Sequence, residues 1–204
     1  MNIWRDRLQR WFSPLARACP LSPNAVTILA LVLQLIAATS LYLGARRPIL
    51  FLVAIIFVVI GGLADAFDGV VARVQQKESR FGDFLDHFAD RVADLALAAA
   101  WMLGSGVRVE IAMPALIAIM LNGYIGTQIE ATWKQREYDS IGRGEFVLAL
   151  VVFPIVSYIT GANGWRAIGG AGLTIAEWLA AAMALFALIG IAQRFVKAKR
   201  MESA

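Results

Sequence analysis

Asp65-Ala66-Phe67-Asp68-Gly69-Val70-Val71-Ala72-Arg73, followed by Gly82, Asp86 and Asp90, is the stretch that decides how this chain is read. Its four aspartates stand at the facing ends of two strongly apolar segments, where an ionised side chain is costly unless something compensates it. Asp65 and Asp68 are three residues apart and Asp86 and Asp90 four, so on helices each pair projects from one face toward a common point. Carboxylates gathered in this way repel and protonate, whereas a shared pair of divalent cations keeps them ionised. Oxygen-only ligands favour magnesium or manganese over zinc. Gly69 and Gly82 leave room for a ligand or backbone to approach, and Arg73 adds a fixed cation.

The surroundings of this stretch are those of a membrane protein. The chain has 204 residues, of which 59% are hydrophobic, and its mean hydropathy is +0.66. Its apolar runs reach membrane-spanning length. The net charge of +4 is assigned to membrane topology and an anionic lipid surface, with no nucleic-acid partner expected. Cys19 is the one cysteine, so no disulfide forms within the chain.

Residues 1–19 combine Trp4, Leu8, Trp11, Phe12 and Leu15 with Arg5, Arg7, Arg10 and Arg17, the composition of an amphipathic juxtamembrane helix rather than a cleavable leader. A Pro20–Pro23 turn comes next, with Asn24 expected to cap the helix after it. Residues 20–204 divide into six expected spans, at about 25–44, 48–73, 83–104, 110–133, 144–161 and 172–195. The predicted fold is therefore an all-α integral membrane protein, with six transmembrane helices and an N-terminal interfacial helix. Lys and Arg concentrate in the N-terminal segment, after spans two and four, and in a C-terminal tail holding Arg194, Lys197, Lys199 and Arg200. The opposite loops hold Arg46, Arg47, Arg108 and Arg166. This bias predicts a multi-pass protein of the cell membrane with both termini and the aspartates on the cytoplasmic side.

The pattern D-x2-D-G-x2-A-R-x8-G-x3-D-x3-D, present here at every defined position, resembles the signature of the CDP-alcohol phosphotransferases. Pro23, Asn24, Ala25, Val26 and Thr27 look like that family's nucleotide-contacting turn. The resemblance implies two divalent cations held by Asp65, Asp68, Asp86 and Asp90, with Asp90 also the general base. It implies a CDP-donor site drawn from Asn24, Ala25, Val26, Thr27, Gly69, Ala72, Arg73, Ser79 and Gly82. It further implies a homodimer in membrane lipid that transfers a phosphatidyl or archaetidyl group from a CDP-linked lipid to a polar alcohol, releasing CMP. A transferase taking a soluble CDP-alcohol and a lipid acceptor is the alternative within the family.

The acceptor pocket is expected beside Asp90, with Lys134 and Arg143 as its cations and a polyol or polyol phosphate, such as glycerol phosphate or inositol phosphate, as the acceptor. Relatives that make phosphatidylinositol phosphate tend to carry a Lys and an Arg in a Tyr-Ile-Lys-Ala-Arg-like run. The matching run here is Tyr124-Ile125-Gly126-Thr127-Gln128, which lacks both. Asp94 continues the Asp86, Asp90 stripe, either supporting the site or pairing with Arg91, and His87 is expected to point away from it.

Two other classes make different demands. A cation-coupled transporter or channel needs carboxylates near mid-span and polar residues continuing across the bilayer, whereas here the outer halves are apolar. A scaffold gives no reason for two glycines and an arginine at fixed offsets from the aspartates.

Overall fold

The structure, a computed structural model, describes residues 3–134, 143–163 and 172–202; the side chains of residues 3–10, 143 and 162–163 are outside that description. Among the described residues there are seven helices and no strand: α1 (Ile3–Ala18), α2 (Pro23–Leu43), α3 (Ile49–Val74), α4 (Arg80–Gly104), α5 (Val109–Trp133), α6 (Arg143–Asn163) and α7 (Ile175–Glu202). The turns between α2 and α3, α3 and α4, and α4 and α5 are short, so these neighbours run antiparallel.

Five of the helices, α2, α3, α5, α6 and α7, are long and apolar enough to cross a membrane. The chain is a multi-pass membrane protein. The six expected spans are thus reduced to five on this criterion, and α4 is the helix that falls out. Its 25 residues give it a length of about 37 Å, sufficient to span. Its N-terminal part, however, carries Asp83, Asp86, His87, Asp90, Arg91 and Asp94. Asp94 is buried, Asp86, His87, Asp90 and Arg91 are half-buried and Asp83 is exposed, and α4 packs against α2, α5, α6 and α7.

One core runs through the bundle, joining Ala37 and Leu41 of α2, Phe51, Ala54 and Val58 of α3 and Leu97, Trp101 and Met102 of α4 to Ala115, Leu150, Ala180 and Met183 of the later helices. Small residues dominate it. Between lipid-bathed helices the hydrophobic drive is weak, and close approach at Ala and Gly supplies van der Waals contact instead. The backbone of Gly104 illustrates this, because a Cβ there would run into the carbonyl of Leu41 on α2. Trp101 is fully buried and its indole N–H donates to Ser157 Oγ at 3.0 Å, which satisfies the polar end of a large apolar side chain.

The start of α7 is fixed by a capping box. The backbone N–H of Glu177 donates to Thr174 Oγ1 at 3.2 Å, and Glu177 Oε2 accepts from the Thr174 N–H at 2.8 Å. The same carboxylate accepts from Arg108 Nε at 2.6 Å, tying the α4–α5 turn to α7 and raising the pKa of Arg108 further.

α1 docks on the far end of the bundle, on α3. Ala16 packs with Val70 and Val71, and the rings of Phe12 and Phe67 meet edge to face at 5.6 Å between centroids. Trp11 and Leu15 remain exposed, at 83% and 63%, on a face suited to a lipid surface.

Two sequence expectations are corrected by the fold. The cap of α2 is Ser22, whose Oγ accepts from the Ala25 N–H at 3.3 Å, not Asn24. Pro23 takes the first helical position, so the cap falls one residue before it. And α7 does not end before a basic tail: it continues to Glu202, with Arg194 buried inside it.

Candidate active site

Three helices build the site. α2 brings its first turn, α3 its last three turns and α4 its first three, and these ends meet because α2 and α3 are antiparallel and α4 returns beside α2. Between them lies a cleft of about 270 Å³, lined on α2 by Pro23, Asn24 and Thr27 and on α3 by Asp65, Asp68, Gly69, Ala72 and Arg73. Lys77, Glu78 and Ser79 form its wall in the α3–α4 turn, and Gly82, Asp83, Asp86 and Asp90 line it on α4.

Asp65, Asp86 and Asp90 each offer a carboxylate oxygen within 4.8 Å of the others, an arrangement able to hold a metal ion. Asp68 lines the same cleft outside that trio. It is buried, and its Oδ2 accepts the Thr27 hydroxyl at 2.5 Å. A short bond to a carboxylate in a buried setting is among the stronger kinds of hydrogen bond.

Farther along α3, Arg73 lies along Gly69, close enough that a Cβ at Gly69 would touch its Nη1 at 3.4 Å. Arg73 Nε is buried without a hydrogen-bond partner among the described residues. Gly82 serves a similar purpose, since an added Cβ would press within 3.1 Å of Ser79 Oγ and 3.3 Å of Asn24 Oδ1. Ser79 caps α4 by accepting from the Gly82 N–H at 3.0 Å, which gives this residue a structural duty alongside its place on the cleft wall.

Of the residues picked out from sequence, Asn24, Thr27, Asp65, Asp68, Gly69, Ala72, Arg73, Ser79, Gly82, Asp86 and Asp90 all come to one cleft. Ala25 and Val26 do not line it; on a helix they turn away from the Asn24–Thr27 face, and Val26 is core. Lys134 caps α5 in a left-handed conformation, φ 56, and is exposed outside the cleft. Arg143 opens α6, and its side chain, like Arg136 and Arg166 altogether, is outside the described residues. His87 faces Glu130 of α5 at 4.0 Å. Asp94 pairs with Arg91 at 3.1 Å.

Sequence reasoning missed Arg194 as a buried residue because its basic neighbours, Lys197, Lys199 and Arg200, suggest a tail. Its Nη1 donates to the backbone carbonyl of Asn122 at 2.8 Å and to Asn122 Oδ1. Its guanidinium also rests against Gly126 of α5, where a Cβ would sit 3.4 Å from Cζ. The available signal was the apolar run Leu188-Ile189-Gly190-Ile191-Ala192, which reaches Gln193 and Arg194 and resumes at Phe195-Val196.

A helical membrane bundle with an acidic, metal-competent cleft at one end defines a class of membrane enzymes acting on phosphate esters. The chain belongs to the CDP-alcohol phosphatidyltransferase family, whose model matches residues 20–189. It is 33% identical over 104 residues to archaetidylinositol phosphate synthase of Pyrococcus horikoshii, a match covering 51% of this chain and 53% of that one, so the likeness spans about half of the relative. The fold is also that of phosphatidylinositol phosphate synthase PgsA1 of Mycobacterium tuberculosis. The complex of that protein with CDP-DAG superposes with a TM-score of 0.70 at 20% identity, covering 93% of this chain and 94% of the other. Its complex with manganese and citrate gives 0.69 at 22% identity, covering 92% and 88%.

Proposed function

We propose that this chain transfers a phosphatidyl or archaetidyl group from a CDP-linked lipid to the hydroxyl of a polyol phosphate, with release of CMP. The observation that carries the reading is the convergence of Asp65, Asp86 and Asp90 within 4.8 Å in a cleft that also holds Asp68, Arg73 and Asn24. Gathered carboxylates of this kind are acceptor-only oxygen donors, the set that hard divalent cations take. Two ions, magnesium or manganese, held by Asp65, Asp68, Asp86 and Asp90, would neutralise this charge and supply Lewis-acid polarisation of a bound pyrophosphate.

The chain's own residues do the remaining work. The unpartnered Nε of Arg73 is a donor that a phosphate oxygen satisfies. Gly69 and Gly82 keep the walls open to the nucleotide, and Asn24 and Ser79 present polar atoms between them. Asp90 accepts the proton of the acceptor hydroxyl. That oxygen forms a bond to the β-phosphorus of the donor as the bond from that phosphorus to the bridging oxygen breaks, and the α-phosphate leaves as part of CMP.

An inositol phosphate acceptor is favoured by the names of the relatives, archaetidylinositol phosphate synthase and phosphatidylinositol phosphate synthase. The cations absent from the Tyr124–Gln128 run are compensated by Arg194, which lies buried against Gly126. Arg143 and Lys134 complete the acceptor site on this reading. The cleft faces the cytoplasm, following the distribution of Lys and Arg, α4 crosses as a sixth span shielded by its neighbours, and the enzyme works as a homodimer.

The test is CMP release by purified protein with CDP-diacylglycerol and magnesium, against inositol phosphate, glycerol phosphate, serine, free inositol and phosphatidylglycerol. Release stimulated by inositol phosphate and lost with chelator is the expected result. Stimulation by another acceptor alone would replace inositol phosphate. Turnover only with soluble CDP-alcohols and a lipid acceptor would reverse the direction of transfer.

A further inference from the structure

One side chain outside the cleft lining ties α1 to the end of α3. Gln75 is the C-cap of α3, and its Nε2 donates to the carbonyls of Ala16 at 3.1 Å and Cys19 at 3.0 Å. The last carbonyls of a helix have no partner within it, so Gln75 closes the end of α1 from a neighbouring helix. On α3, the residues that receive α1, namely Phe67, Val70, Val71 and Val74, interleave with Asp68, Gly69, Ala72 and Arg73 of the cleft, and Val70 belongs to both sides. The end of α3 is thus a two-sided strut.

Immediately after Gln75 the chain makes a tightly specified turn. Gln76 takes a left-handed conformation, φ 55, which is unfavourable for a residue with a side chain. The Lys77 N–H bonds back to the Ala72 carbonyl at 2.8 Å, and the Gln76 N–H to that of Arg73 at 3.2 Å. This closing pattern is that of a helix ended by a left-handed residue. The turn delivers Lys77, Glu78 and Ser79 to the cleft wall, and Ser79 then caps α4 at Gly82.

We infer that Gln75 is a positioning residue for the CDP-donor subsite, holding α1 against α3 so that the Gln76 turn keeps the Lys77–Ser79 wall opposite Arg73. The inference rests on the reading of the cleft as the donor site. Gln75 touches no substrate; it acts through the turn that its own backbone begins. Removing its two donated bonds frees the turn to sample other conformations, and the donor then orders the wall when it binds. That cost falls on donor affinity, not on the acceptor or on proton transfer to Asp90.

The test uses the full chain in nanodiscs of fixed lipid composition, comparing wild type with Gln75→Glu, which keeps the shape but lacks the N–H donors, and Gln75→Met, which keeps the length. For each, the donor KM for CDP-diacylglycerol, the acceptor KM, kcat and the rate of tryptic cleavage after Arg17 are measured. The expected result in both variants is a donor KM raised roughly three- to tenfold, from the loss of hydrogen bonds of ordinary strength. The acceptor KM stays near wild type, and cleavage after Arg17 is faster. A wild-type donor KM with faster cleavage would make Gln75 a fastening for α1 alone and overturn the proposal, as would no change in either. A wild-type protein that neither binds nor turns over CDP-diacylglycerol would overturn the donor reading itself, and this inference with it.

Discussion

The hydroxyl of Thr27 on α2 stands 2.5 Å from Oδ2 of Asp68 on α3, and both residues are buried, at 5% and 7% exposure. The contact joins the first turn of one helix to the acidic end of another across 41 residues of sequence. A buried carboxylate that loses a hydrogen-bond donor is left with an uncompensated desolvation cost of about 1–3 kcal/mol or more. Thr27→Val, which keeps the shape, should therefore lower stability by that order and raise the magnesium concentration needed for CMP release. Thr27→Ser should stay near wild type in both. A Val variant with unaltered magnesium dependence would remove Thr27 from the support of the carboxylate cluster.

The general-base role proposed for Asp90 separates chemistry from binding. It shares the trio with Asp65 and Asp86 and is the cleft carboxylate farthest along α4 from the Ser79 cap. Asp90→Asn should cut kcat by roughly 10²–10⁴-fold, the range for a general base, while largely retaining magnesium-dependent binding of the CDP-linked donor. Asp65→Asn, by contrast, should weaken metal and donor binding together. Equal losses of donor binding in the two variants would remove the general-base assignment from Asp90.

Why was so much of this site legible in the sequence? The signature residues lie on two helices joined by one turn, so their separation in space follows from helical periodicity and a short connection. That local determinism carried Asp65, Asp68, Gly69, Arg73, Gly82, Asp86 and Asp90 to one cleft. Features set by longer-range packing were not legible. The burial of Arg194 depends on α5 presenting Gly126 and Asn122 to α7, which no spacing within α7 reveals. The shortfall of α4 as an apolar span has a related origin: most of its charges are at least half-buried on a helix packed against α2 and α5, and hydropathy averaged along a helix cannot register which neighbour covers a side chain. The choice of Ser22 over Asn24 as cap turned on a single proline.

Gly104 tests the close packing at the opposite end. Its Cβ-free backbone sits directly against the carbonyl of Leu41, so an alanine would force α2 and α4 apart instead of merely displacing a side chain. Gly104→Ala should destabilise the protein by about 1–3 kcal/mol, as overpacking does, read as a lower melting temperature in detergent. Gly62→Ala makes the control, because nothing lies within 4 Å of a Cβ there, and it should be neutral to slightly stabilising.

Arg194 offers a test of the proposed acceptor. Buried at 7% exposure, it donates through Nη1 to Asn122 and lies along Gly126 at the position where relatives making phosphatidylinositol phosphate tend to carry a lysine. Two roles make different kinetic demands. If Arg194 only braces α5 against α7, Arg194→Lys, which keeps the charge but not the planar fork, should lower thermal stability and leave the acceptor KM unchanged. If it also meets the acceptor phosphate, the same variant should raise the KM for inositol phosphate about tenfold or more, the loss of a charge-assisted bond, with the donor KM held. The second outcome is expected. A decisive control is Gly126→Lys: its added side chain competes for the space now filled by the Arg194 guanidinium. Paired with Arg194→Ala, it should restore part of the lost acceptor affinity if a cation at this position, and not the arginine's bonds to Asn122, is what the acceptor needs.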